Sequence, residues 1–250
     1  LLSEALMSEH LTIQTPDGPM GAYLAEPAGT GPKPAVLVLQ EAFGVNAHIR
    51  SVCDRIAARG YVALAPELFH RTGAGLEFSY TDFGALMPVF GSLTNAGLRT
   101  DIAAALSALR GREDVDPSRI GVVGFCVGGF ATLLAAEECD AATFVSFYGG
   151  GVLRTRPGIS LTPIIDGVTK VKRPILFLYG GTDQSIPADD VAAIDAAMRA
   201  TGATYEVVTY PEAGHGFACE ARDSFHQPSN DAAWARTFAW FERYLGAGAS

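Results

Sequence analysis

The sequence predicts an α/β fold: a mostly parallel sheet with helices on both faces and an antiparallel hairpin at its N-terminal edge. Short, continuously apolar runs such as Ala35-Val36-Leu37-Val38-Leu39 recur along the chain, the pattern of strands buried on both faces. Stretches of helical period separate these runs, and strands alternating with helices give a parallel sheet. The length of 250 residues, 48% of them hydrophobic, is enough for one such domain with a large core.

In chain order, His10-Leu11-Thr12-Ile13-Gln14 and Met20-Gly21-Ala22-Tyr23-Leu24 flank the turn-forming Thr15-Pro16-Asp17-Gly18-Pro19, which reads as the edge hairpin. The run Ala35 to Leu39 follows a Gly/Pro loop as the first buried strand. After the loop Gln40-Glu41-Ala42-Phe43-Gly44-Val45-Asn46 comes an amphipathic helix from about His48 to Arg59, closed by Gly60. Tyr61 to Pro66 is a second buried strand. Residues 67–97, rich in Gly, Phe and Thr with only short periodic pieces, have the composition of a segment covering a pocket. A helix is expected from about Leu98 to Arg112. Further strands are expected at Ile120 to Phe125, Ala142 to Tyr148, Pro174 to Tyr179 and Tyr205 to Thr209, and further helices after Pro187 and from about Asp231 to Leu245.

A net charge of -9 without Lys/Arg runs argues against nucleic acid or an anionic membrane surface as partner, and no apolar stretch has the length of a membrane span. Cys53, Cys126, Cys139 and Cys219 form no CxxC pair, so no disulfide framework or zinc site is indicated and a cytoplasmic setting is expected. His48, His70 and His226 do not fall at ligand spacings; neither a metal nor a cofactor is expected. Residues 1–6 lack the basic start of a signal peptide and read as an appended remnant ahead of a natural start at Met7, with 7–250 as a single domain. The composition is compatible with a monomer or a small homo-oligomer.

Chemistry enters at Gly124-Phe125-Cys126-Val127-Gly128-Gly129, between the β-branched run ending at Val123 and the helix-compatible Phe130 to Ala136. This has the form of a nucleophile elbow, G-x-S-x-G, with cysteine in the serine position. Glycines two residues either side remove the Cβ atoms that would clash in so tight a turn, and the helix start favours a thiolate and a developing oxyanion. A buried structural cysteine beside a glycine-rich turn is the competing reading. Downstream, the strand Ile175 to Tyr179 runs into Gly180-Gly181-Thr182-Asp183, and the next strand into Tyr210-Pro211-Glu212-Ala213-Gly214-His215. Nucleophile, acid and histidine therefore follow the order of an α/β-hydrolase, each at a strand end. His215 would move the thiol proton and Asp183 would hold its tautomer. Backbone N–H groups of Val127 and Ala42 are the candidate oxyanion donors.

Together, Gly124 to Gly129, Gln40-Glu41-Ala42-Phe43-Gly44, Ala65-Pro66-Glu67-Leu68-Phe69 and Gly214-His215-Gly216-Phe217 resemble the dienelactone hydrolase (carboxymethylenebutenolidase) family of α/β-hydrolases, over about residues 10 to 245. The resemblance implies a cofactor-independent hydrolase that opens a small, anionic lactone or ester through a cysteine nucleophile and a thioester acyl-enzyme. It also implies that Glu41 lies beside the nucleophile, controls its ionisation and takes the thiol proton when substrate binds. The family's substrate carboxylate is held by arginines. Arg71 matches one; at the second position this chain has Ala218 and Cys219, with Arg222 three residues on. The connection 149–172, carrying Arg154 and Arg156, is longer than the family's usual one and is expected to rim the pocket. Two other readings stay open: a non-hydrolytic carboxylate-binding protein, and a thiol redox sensor using Cys126 with Cys219 as resolving partner.

Overall fold

Every residue of the strand Lys33–Leu39 is buried, and the stretches Val62–Leu64 and Ile120–Gly124 that pair with it on either side are buried too, so the centre of the sheet is closed to water from both faces. The computed structural model describes residues 6–246. Of the expected N-terminal remnant, residues 1–5 lie outside the described residues. The strands are β1 (Met7–Thr15), β2 (Gly18–Glu26), β3 (Lys33–Leu39), β4 (Val62–Pro66), β5 (Val115–Phe125), β6 (Thr143–Phe147), β7 (Ile175–Gly180) and β8 (Tyr205–Tyr210). They form one sheet in the order β1-β2-β4-β3-β5-β6-β7-β8. The β1/β2 and β2/β4 pairs are antiparallel and all others parallel, as the alternation of strands and helices implied.

The helices are α1 (Ala47–Ala57), α2 (Phe83–Phe90), α3 (Asn95–Arg110), α4 (Val127–Ala136), α5 (Ala188–Thr201) and α6 (Gln227–Leu245). Strand periodicity shows that they cover both faces. Thr143 and Ser146 of β6 are three residues apart and so point to opposite sides of the sheet. The Trp240 Nε1–H of α6 donates to Thr143 Oγ1 at 2.7 Å, whereas the Ser146 hydroxyl donates to the Gly129 carbonyl of α4 at 2.9 Å. On the α6 side, Arg55 of α1 and Arg59 just beyond it lie over Trp234 and Phe238. On the α4 side, Arg99 of α3 is paired with Glu137 at the end of α4. Among the described residues no helix is long and apolar enough to cross a membrane.

Three elements differ from expectation, each for a local reason. β5 starts at Val115 because Val115 pairs with Lys33 ahead of an irregularity, an extension that Pro117 hides in the sequence. α6 starts four residues early, since Pro228 sits in the first turn, where a missing N–H costs nothing. Within the covering segment, α2 forms despite Pro88, capped by the Asp82 carboxylate, which accepts from the Ala85 N–H at 3.1 Å.

Candidate active site

β5 passes into α4 through a single residue, Cys126, at φ 56° and ψ −114°. A non-glycine residue held there stores roughly 1–3 kcal/mol of strain, which the surrounding structure must enforce. It does so from both sides: the Cys126 N–H donates to the Phe147 carbonyl at 3.0 Å and its carbonyl accepts from the Phe130 N–H at 3.1 Å. Gly128 lets the start of α4 press against the end of β3, because a Cβ there would stand 2.2 Å from the Leu39 carbonyl oxygen. That contact brings Val127, at the unpaired amino end of the helix, next to the loop carrying Ala42.

The loops after β7 and β8 complete the line. His215 Nε2 is 3.1 Å from Cys126 Sγ, and His215 Nδ1 is 2.7 Å from Asp183 Oδ2. The other oxygen of Asp183 accepts from the Ser185 N–H at 2.7 Å, so the carboxylate is held at both ends. The Tyr148 ring packs edge-on against the imidazole, with centroids 5.3 Å apart. Burial pushes the Cys126 thiol up, but the charge and hydrogen bond of His215 push it down by more, and the thiol ends below its usual value. Burial likewise pulls His215 down, yet Cys126 and Asp183 outweigh it and raise the imidazole to about 10. Both directions favour moving the thiol proton onto the imidazole.

Glu41, with a side chain only 1% exposed, accepts from Arg222 Nη1 through Oε1 at 3.3 Å, while its Oε2 has no partner. Its charge is close enough to act on the thiol of Cys126 and oppose the effect of His215. Arg222 therefore does turn inward, lying over the Phe43 ring at 5.6 Å. Gly216 leaves room for it, since a Cβ there would stand 2.4 Å from Nη1. Next to Glu41, Gln40 accepts the Leu68 N–H at 3.0 Å and ties this loop to the segment after β4.

Above the sulfur lies a cleft lined by Cys126, His215, Phe90, Phe130, Arg154 and Arg156 among others. Its walls are the two segments expected to cover and rim it, laced together where Asn95 exchanges two hydrogen bonds with the backbone of Thr162, both at 3.0 Å. Arg71 is a correction. Expected at this cleft, it instead donates to both oxygens of Asp101 on α3, at 2.7 and 2.9 Å, and to Asp17 in the β1–β2 turn, so its guanidinium is already neutralised by the protein. Arg156, which donates to the Ser185 carbonyl at 3.0 Å, and Arg154, paired with Asp190, line the cleft in its place. Cys219 is fully buried, and burial raises its thiol to about 11, a poor state for thiol exchange.

The sequence pattern of the dienelactone hydrolase family matches residues 20–245. A protein from Methylorubrum extorquens, provisionally named a carboxymethylenebutenolidase, is 38% identical over 245 residues, covering 97% of this chain and 83% of its own. One of the same provisional name from Escherichia coli K12 is 36% identical over 246 residues, covering 97% and 89%. A crystal structure from Klebsiella pneumoniae, provisionally titled a dienelactone hydrolase, superposes with a TM-score of 0.86 at 36% identity, covering 96% of this chain and 100% of that one. The fold is thus that of an α/β-hydrolase, and the chain belongs to the dienelactone hydrolase family, hydrolases of lactones.

Proposed function

We propose that this chain opens a lactone carrying a carboxylate, or an ester of comparable activation, through a thioester on Cys126. The observation that carries the reading is the unbroken line from Asp183 through His215 to a sulfur held on a strained turn at a helix amino end. The thiolate attacks the lactone carbonyl while Val127 and Ala42 donate to the oxyanion. Collapse forms the S–C bond and breaks the ring C–O bond, and His215 protonates the departing oxygen. Water then adds to the thioester, its proton passes to the imidazole, and the S–C bond breaks to release a carboxylic acid, one water consumed overall. Asp183 fixes the tautomer and stabilises the imidazolium. Glu41, tethered by Arg222, acts electrostatically on the sulfur and so controls its ionisation, the thiol proton itself residing on His215.

The relatives' name denotes a butenolide ring with a carboxymethylene arm, and the cleft suits such a molecule. Phe90, Phe130, Ile159 and Leu161 offer apolar walls for an unsaturated ring, and Arg156 offers a planar donor fork for the carboxylate in the role that Arg71 does not fill. The test is hydrolysis of dienelactones, protoanemonin-like lactones and small aryl esters, followed by absorbance, with rapid-quench mass spectrometry of the protein. Turnover is expected, with an acyl mass on the peptide containing Cys126 and loss of both in Cys126→Ala. Absence of turnover on every substrate, or identical rates for parent and variant, overturns the proposal.

A further inference from the structure

Beside the catalytic line lies a group of donors that shares Glu41 with it and adds two side chains, His48 and Cys219, that the hydrolysis does not use. One ligand atom each from Glu41, His48 and Cys219 lie within 4.8 Å of one another. They come from three separate segments: the loop after β3, the first turn of α1, and the loop beyond His215. Glu41 Oε1 is taken by Arg222, but Oε2 is buried without a partner, and so is His48 Nε2. Two complementary buried atoms lacking partners, beside a buried sulfur, form an arrangement that a packed interior ordinarily avoids.

The positions are fixed rather than accidental. His48 is held by the capped start of α1, where Asn46 Oδ1 accepts from the Ile49 N–H at 3.2 Å, and its ring stands edge-on to Phe125 at 6.1 Å. Tyr80 bridges the same region, its hydroxyl accepting from Asn46 Nδ2 at 2.9 Å and from Cys219 Sγ at 3.3 Å.

We propose that Glu41, His48 and Cys219 form a binding site for a borderline-soft divalent cation of the Zn²⁺ class, separate from the catalytic sulfur. A carboxylate oxygen, an imidazole nitrogen and a thiolate are the donor types such ions select, whereas Mg²⁺ and Ca²⁺ require oxygen alone. With bond lengths of about 2.0–2.3 Å, ligand atoms around a tetrahedral ion sit about 3.5 Å apart, so each donor moves inward by about 1 Å or less. The metal–sulfur bond replaces the S–H bond of Cys219 and the proton leaves to solvent; the Tyr80 hydroxyl or a water fills the fourth position. Arg222, facing Glu41, opposes the ion by its charge and limits affinity. Occupation engages Glu41 and therefore inhibits hydrolysis.

The test uses Co²⁺ as spectroscopic probe and the full chain carrying Cys126→Ala, which removes the one sulfur that an ion could take directly from the cleft. A thiolate-to-cobalt charge-transfer band in the near ultraviolet, displaced by Zn²⁺, is expected in this protein. It is expected to vanish in Cys126→Ala/Cys219→Ala and in Cys126→Ala/His48→Gln, with far-ultraviolet dichroism unchanged. The His48 change, at a partly exposed position, keeps the test decisive should the cysteine change disturb packing. No band in Cys126→Ala, or a band that survives loss of Cys219, overturns the proposal, and neither result bears on turnover by the parent.

Discussion

Replacing Arg222 with Met removes, among the described residues, the only cation bonded to Glu41, and the size of the effect follows from the burial of the two groups. Glu41 has a side chain 1% exposed and one oxygen already without a partner, so the change leaves both carboxylate oxygens unpaired inside the protein. Breaking a buried pair by removing one member costs about 3–5 kcal/mol. Arg222 keeps 19% of its side chain exposed and the contact is 3.3 Å, both of which weaken the pair, so the expected loss is about 2–3 kcal/mol. For a chain of this size that corresponds to a fall in Tm of roughly 4–12 °C. The double variant Glu41→Gln/Arg222→Met has no stranded charge and is expected to recover more than half of the loss. Urea unfolding followed by far-ultraviolet circular dichroism gives the numbers. A loss below about 0.5 kcal/mol in the single variant, or a double variant no more stable than the single, would refute the reasoning.

The lowered Cys126 thiol predicts that the inflection of iodoacetamide alkylation rate against pH lies below that of an ordinary cysteine thiol. In His215→Gln the inflection of alkylation rate against pH should move upward, because burial then acts on the thiol without the neighbouring imidazolium. Asp183→Asn, read by steady-state turnover, should lower kcat by about 10⁴-fold, as loss of the orienting carboxylate does in Ser-His-Asp enzymes. Arg156→Ala should raise KM for carboxylate-bearing lactones by about 10- to 150-fold, the worth of a hydrogen bond to a charged group, while neutral aryl esters change little.

What the sequence reveals depends on how local the determining contacts are. Cys126, Asp183 and His215 are each recognisable because each follows an apolar strand run, and a parallel sheet gathers strand ends at one edge whatever their separation along the chain. The core strands are legible for the same reason. Arg71 is not, because its partners Asp17 and Asp101 lie 54 and 30 residues away and nothing nearby shows that its charge is already met. The early start of β5 and the helix α2 are hidden by Pro117 and Pro88, whose effect depends on pairing and capping that the composition does not display. The meeting of Glu41 and His48 with Cys219 has no sequence signal, since it needs the loop beyond His215 to fold back over the start of α1.

The cleft walls belong to two excursions from the sheet, tied to each other through Asn95 and Thr162, whereas the sulfur, imidazole and carboxylate stand on strand ends beneath them. On the function proposed above, choice of molecule and breaking of its bond reside in physically separable parts. Residues of the upper part, Arg156 among them, can then be exchanged without disturbing the strained turn that carries Cys126. New appetites can then evolve over an unchanged reactive floor.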